Sequence, residues 1–240
     1  MLFCFPHDPV YNGPQQGAIC MKQDFAMSEI KIRLETKEDY PFVENMIREA
    51  FWNVNVPRAS EHYLAHLLRD DPDFIPELDF VAEIDGKIVG NILYVRAKLI
   101  AEDGTVKDCI SFGPLSVHPD YQRRGIGKAL ISHSFEKAKE MGATVVVILG
   151  HPSNYVARGF QNCIRKNICF GDGYFCSGIL VKELVPNTLD GRRYRFEESP
   201  VFDLSEAEIE EFDKRFPKKE KKVLPQQEEF FINSHSVVHL

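Results

Sequence analysis

Apolar residues recur at two different spacings along this 240-residue chain, and the places where one spacing gives way to the other mark its elements. Residues 1–26 keep neither spacing, and their Pro, Gly and Gln content predicts a flexible N-terminal extension. Alternation over residues 29 to 34 reads as a strand. Thr36, with Asp39 three residues on, then predicts a helix start, and Phe42, Val43, Met46, Ile47 and Ala50 follow at helical spacing. Pro41 lies close to that start. A second helix is expected to open at Ser60 and to bury Tyr63, Leu64, Leu67 and Leu68.

The middle of the chain is patterned as sheet. In "LDFVAEIDGKIVGNILYVRAKLI", Asp85-Gly86 stands between two β-rich runs as a hairpin turn, and Asp103-Gly104 signals another. "CISFGPLSV" leads through a loop into a helix carrying Ile126, Ala129, Leu130 and Ala138, closed by Gly142, and "TVVVIL" follows as a buried strand. Helices, hairpins and then a β-α-β unit predict an α/β fold of the α+β type: a mixed, mostly antiparallel central sheet flanked by helices. Further on, Ser205 and Glu208 predict a capping box for a short acidic helix, with Pro217 as its stop.

Charge and cysteine usage exclude several function classes. A formal net charge of -7 argues against nucleic-acid binding, which needs a clustered basic excess. The only basic run, "KRFPKKEKK" at 214–222, reads as a solvated, mobile tail, with a docking patch as the minor alternative. Cys4, Cys20, Cys109, Cys163, Cys169 and Cys176 show no C-x-x-C pair and no zinc spacing, so they read as free thiols of a reducing compartment. The N-terminus lacks the basic start of a signal peptide, and no apolar run approaches the roughly 20 residues of a membrane span. A cytoplasmic protein without a membrane partner is expected.

The strongest chemical signal is "VHPDYQRRGIGKAL", a strand end, a loop with two arginines and two glycines, and a helix start. Such a turn gathers backbone N–H groups at a helix N-terminus, where the dipole adds about half a positive charge, and so suits an anion. A Walker A loop fails here, because Gln122 replaces its first glycine and Ala129 its hydroxyl. The dinucleotide fingerprint fails at Leu130, its third glycine position. A coenzyme A pyrophosphate is the third candidate.

In this stretch the chain resembles the GNAT superfamily of acyl-CoA-dependent N-acyltransferases. Gln122-Arg123-Arg124-Gly125-Ile126-Gly127 meets the signature [QR]-x-x-G-x-[GA], and "YVARGF" resembles the family's Y-x-x-x-G-F element through Tyr155 and Gly159. The likeness extends over roughly residues 28 to 185, and "GPLSVHPDYQRRGIG", "ILGHPSNYVARGF" and "GILVKELVPNTLDG" look most like the bacterial YhbS-like branch. It implies a sheet whose fourth and fifth strands splay apart, with the pantetheine arm of the cofactor pairing like an added strand against Leu115, Ser116 and Val117. Gly113-Pro114 is a plausible bulge where the splaying starts. Gln122, Arg123, Arg124, Gly125, Ile126, Gly127, Lys128 and Ala129 would then hold the pyrophosphate of acetyl-CoA. Residues 27–185 would form the acyltransferase domain and 186–240 a C-terminal extension with a short helix and a basic tail.

The resemblance implies direct attack of a primary amine, on a small molecule or peptide, upon an acyl thioester, acetyl being the expected group, through a tetrahedral intermediate. Tyr155 matches the family's general acid, because a phenol can give its proton to the departing thiolate; packing beside Phe160 is its structural alternative. The base is unassigned: "ATVVVIL" holds no carboxylate, Glu83 and Asp108 are the nearest strand-associated candidates, and relayed water is equally open. Relatives often carry an Asn where Ile148 stands, so Asn154 is not its equivalent. Residues 51 to 79 and about 160 to 176 are the expected acceptor walls, with "DDPDFIPELD" either attracting a cation or merely solvated, and Phe51 and Trp52 either shaping the pocket or filling the core.

His62 and His66 stand at i and i+4 but without a third ligand, so no metal is expected, and His118 and His151 border the proposed cleft, where they could assist proton transfer, with turn packing the preferred reading. The C-terminal extension has three open roles: covering the acceptor cleft, docking on the sheet edge, or mediating a homodimer. A non-catalytic acyl-CoA-binding sensor or scaffold fits the same loop; Tyr155 favours the enzyme.

Overall fold

β-branched and aromatic residues alternate between two faces from residue 80 onward, and there the sheet forms. A computed structural model describes residues 29–239, so the N-terminal extension, Cys4 and Cys20 lie outside the described residues. In chain order the elements are β1 (Lys31–Leu34), α1 (Tyr40–Phe51), α2 (Glu61–Leu68), β2 (Phe80–Ile84), β3 (Lys87–Ala101), β4 (Val106–Val117), α3 (Ile126–Glu140), β5 (Val145–Leu149) and α4 (Pro152–Tyr155). They continue with β6 (Gln161–Asn162), β7 (Ile168–Cys169), β8 (Tyr174–Cys176), β9 (Ile179–Glu183), β10 (Tyr194–Glu197), α5 (Glu206–Asp213), α6 (Pro225–His235) and β11 (Val237–His239).

The strand order is β1-β2-β3-β4-β5-β9-β6, with β10 pairing to β3 and, in parallel, to β7. All other ladders of this sheet are antiparallel except β4–β5, which α3 connects. This is the mixed, mostly antiparallel sheet that the pattern predicts. Asp85 and Gly86 both have positive φ, 51° and 74°, as the tight hairpin between β2 and β3 requires.

Two features of β4 position the site. Ile92 faces Leu115 and Tyr94 faces Phe112, so Gly113 and Pro114 together oppose Leu93 alone, and the bulge falls where the sequence places it. β4 and β5 are in register only at Ile110 and Val146, so beyond that pair the two strands diverge.

Side chains of β3 divide the core. Ile92 and Tyr94 pack with Ile110, Phe112, Val146 and Ile148 under Leu130 and Phe135 of α3. Leu93 and Val95 pack under α1 and α2, and Ala97 and Leu99 on that same face meet Phe175, Tyr194 and Phe196. Each fully buried aliphatic side chain contributes about 1.5–3 kcal/mol relative to exposure. Deep under α3, Tyr94 Oη pairs with Ser134 Oγ at 2.7 Å, and Ser134 Oγ also reaches the Ile131 carbonyl at 3.2 Å.

Three expectations change on contact with the structure. α1 starts at Tyr40 and not at Thr36, because the Asp39 carboxylate holds Arg33 as well as the Thr36 N–H and hydroxyl in a turn before the helix. In α2, His62 and Ala65 are buried while Tyr63 and Leu67 are half-exposed. The basic run 214–222 is strapped down: Trp52 Nε1 and Asn53 Nδ2 donate to the Glu220 carbonyl at 2.9 and 3.0 Å, and Lys219 pairs with Glu49 at 2.7 Å.

Candidate active site between the diverging strands

The divergence of β4 from β5 opens a cleft of about 380 Å³ that also touches the start of α3 and the end of α1. Its lining brings together Leu115, Ser116, Val117, Gln122, Arg123, Gly127 and Tyr155, seven of the residues singled out in the sequence. Arg124, Gly125, Ile126, Lys128 and Ala129 do not line it. Ile126 is buried in the core under α3. The Arg124 guanidinium donates to the Asp120 carbonyl at 2.8 Å and lies over the Tyr121 ring, so it braces the loop.

Local backbone geometry explains the loop. Gly125 caps α3 with a φ of 84°, a left-handed conformation suited to a residue without Cβ, and Arg123 shares that region at 62°. α3 begins at Ile126, and the first helical backbone bond runs from Ala129 N–H to the Gly125 carbonyl. The N–H groups of Ile126, Gly127 and Lys128 therefore have no partner within the helix and sit at its positive end. Gly127 lines the cleft, and a Cβ there would make only an ordinary contact, 3.8 Å from Val117 Cγ2. Gln122 Nε2 ties the loop to the Val117 carbonyl at 3.2 Å.

Tyr155 enters from α4 on the other side of the cleft. Its ring lies 5.7 Å from that of Phe112 and 5.6 Å from that of Phe160, so the packing role and the position in the cleft hold together. Gly150 makes room for it, since a Cβ there would stand 2.6 Å from Tyr155 Cε2. Burial pushes the phenol up to about 12, against the opposing pull of the Arg158 charge. Arg123 and Arg158 are the cations in the lining, and no carboxylate is among the lining residues.

Neither sequence candidate for the base lies in this cleft. Glu83 is held by Arg33 at 2.8 Å, and Asp108 faces a different cavity. The acidic stretch is also engaged elsewhere: Asp71 accepts from Ser199 Oγ at 3.1 Å, and Asp79 is buried, which pushes its carboxyl up to about 9. Phe51 lines the cleft, whereas Trp52 stacks on Arg48. Ile148 is buried in the core and Asn154 lines the cleft. Ala50, Val54, Ile131 and Arg158 complete the lining: Ala50 belongs to the helical pattern of α1, Val54 to the stretch 51–79 expected to wall the acceptor site, and Arg158 to "YVARGF".

His62 packs against Phe212 and Phe216 beside Asp213, and burial pushes its imidazole down to about 4. His66 pairs with Glu44 at 3.0 Å. Among the described residues no group of three or more His, Cys, Asp or Glu could hold a metal. No helix among them is long and apolar enough to cross a membrane, and Cys109, Cys163, Cys169 and Cys176 are free and buried.

Residues 43–161 match the model of the acetyltransferase (GNAT) family. This segment is a GNAT-family domain. The chain is 36% identical over 106 residues to the uncharacterized N-acetyltransferase YjhQ of Escherichia coli K12, an alignment covering 44% of this chain and 58% of that relative's length. The GNAT-family N-acetyltransferase YhbS of Escherichia coli, solved in complex with CoA, shares the fold with a TM-score of 0.64 at 24% identity, covering 74% of this chain and 93% of that one. A GNAT acetyltransferase of Brucella melitensis, solved with acetyl-CoA, gives 0.57 at 24% identity over 73% of this chain and 99% of that one. The GNAT match ends just after Tyr155 and Phe160, so β7 to β11 and α5 and α6 lie beyond it.

Proposed function

We propose that this chain transfers an acyl group, acetyl being the expected one, from acyl-CoA to a primary amine of a small molecule or peptide. In this reading residues 27–185 are the acyltransferase domain and 186–240 an extension folded over it. The observation that carries it is the joining in one cleft of a free α3 N-terminus, a strand edge without a partner, and a protonated tyrosine.

The residues present suit a CoA thioester. Beyond Ile110, β4 has no β5 partner, so the backbone of Leu115 to Val117 can pair with an amide-bearing arm as with an added strand. The Ile126–Lys128 N–H groups and Arg123 suit a pyrophosphate, and the space at Gly127 lets it approach the backbone. Acyl-CoA supplies the thioester carbonyl and the thiolate leaving group. Tyr155 remains protonated across the physiological range, so it can donate its proton as the C–S bond breaks but cannot serve as the base. The phenol is held for that purpose by Phe112, Phe160 and Gly150.

Tyr155→Phe tests this reading. Turnover with acetyl-CoA should fall about 100-fold or more while CoA binding is retained. Unchanged turnover would remove Tyr155 from the mechanism.

A further inference from the structure

The reaction needs a group to take the amine's proton, and the Tyr155 cleft holds no carboxylate. On the face of the sheet that carries Val145 and Val147 a second cavity, of about 240 Å³, opens on Leu149, the last residue of β5. Leu149 directly precedes Gly150, the residue against which the Tyr155 ring packs. The walls are Phe170, Tyr174, Ile179 and Phe196, and α6 closes it with Ser234 and His235. α6 is seated there by Asn233, whose Nδ2 donates to the Gly150 carbonyl at 3.1 Å. One carboxylate lines this cavity, Glu198, just past the end of β10.

Glu198 makes no hydrogen bond or salt bridge among the described residues. Burial, followed by the like charge of Asp203, pushes its carboxyl up to about 7. Tyr174, Cys176 and His235 are the other titratable groups facing the cavity. Glu198 also borders an open cleft carrying Asp73, Arg96, Lys98, Asp108 and Glu197, which gives a proton a route to solvent.

We propose that this cavity is the acceptor pocket, that it takes a small primary amine on an apolar or aromatic stem, and that Glu198 receives the amine's proton. The inference rests on the acyl-CoA reading above. Its size is below the roughly 300–1,000 Å³ of pockets for drug-sized ligands, which sets the acceptor as small. Aromatic walls suit an apolar stem, and one unpaired carboxylate suits one ammonium; a polyamine or amino sugar would leave charges or hydroxyls unpaired there.

The step balances. The Glu198 carboxylate takes one proton from the ammonium, and the freed nitrogen lone pair forms the bond to the acyl carbon. The C–S bond breaks and the sulfur takes the Tyr155 proton. A second nitrogen proton restores the phenol through water, the third stays on the amide, and the proton on Glu198 leaves to solvent.

The test uses the full-length protein with CoA and with a bisubstrate analogue in which the CoA sulfur is joined through an acetyl linker to phenethylamine. The analogue should bind at least about tenfold tighter than CoA, and Leu149→Trp should abolish that gain while leaving CoA affinity unchanged. With acetyl-CoA and phenethylamine, Glu198→Gln should lose about 100-fold in kcat/KM at pH 7. That gap should narrow toward pH 9.5, as more of the amine arrives uncharged. An analogue that binds no tighter than CoA, a gain that survives Leu149→Trp, or a Glu198→Gln enzyme as fast as wild type would overturn the inference. Failure of CoA itself to bind would overturn the acyl-CoA reading beneath it.

Discussion

Tyr155 and Gly150 form a unit, because the tyrosine ring occupies the space that a Cβ on Gly150 would fill. Gly150→Ala should therefore displace the phenol and lower kcat at least about tenfold while CoA affinity is kept, which steady-state kinetics with calorimetry checks. With its phenol pushed up to about 12, Tyr155 should impose no fall in kcat below about pH 11. Glu198 gives a stability prediction of definite sign. Its carboxyl is raised from 4.5 to about 7 in the folded state, so between those values the folded protein binds more protons than the unfolded chain, and stability falls as pH rises. Glu198→Gln should then melt at a temperature close to wild type at pH 4.5 and above it at pH 8; thermal melts at the two pH values decide. The place of Tyr155 in the cleft is legible because its motif is local, whereas the place of Glu198 at the second cavity is not, since it follows only from the return of β10 to β3.

At the scale of elements, the strands and helices through β5 were readable from spacing, and the bulge at Gly113-Pro114 from two residues that weaken a ladder. α6 and β11 carried no such signal: "PQQEEFFINSH" has no apolar stripe, and the element is placed by long-range contacts. Gln227 donates to the Asn53 carbonyl at 3.1 Å, and β11 pairs with β8. The anchoring of the basic run is hidden for the same reason, because its partners Trp52 and Asn53 lie more than 160 residues away in sequence. The strongest tie is Arg48 of α1, 1% exposed, whose Nε and Nη2 both bond Asp213 of α5 while Nη2 also reaches the Pro217 carbonyl at 3.0 Å. Asp213→Ala would leave that guanidinium buried with its main partner gone, at a cost of about 3 kcal/mol. Urea unfolding should show this loss, and hydrogen exchange should show it concentrated in α5 and α6.

Across the whole molecule, one face of the sheet carries α3, while the other carries α1 and α2 at one end and, at the other, a cluster that includes side chains of β7, β8 and β10. The C-terminal segment bridges the two ends, from Asn53 to β8, and its α6 rests on Gly150 between them. In the proposed function the cofactor lies in the cleft between α1 and the start of α3, and the proposed acceptor cavity lies on the face of Val145 and Val147, next to it in the chain through Leu149-Gly150. The residues proposed to hold the cofactor lie in the GNAT segment and form a local motif; most of the lining of the proposed acceptor cavity comes from chain beyond that segment.

In the proposed function the loop at the start of α3 holds a CoA pyrophosphate. Calorimetric titration of CoA, acetyl-CoA and ATP into the full-length protein and into Gly127→Glu tests it most directly. Gly127 is the better probe than Gly125, whose φ of 84° would strain any side chain, whereas an acidic residue in the first turn of α3 favours the helix. CoA and acetyl-CoA should bind, ATP should bind at least about 100-fold more weakly, and Gly127→Glu should lose about 100-fold in CoA affinity with the fold intact. Absence of CoA binding by the wild-type protein, or a Gly127→Glu variant that binds CoA as tightly, would contradict that reading.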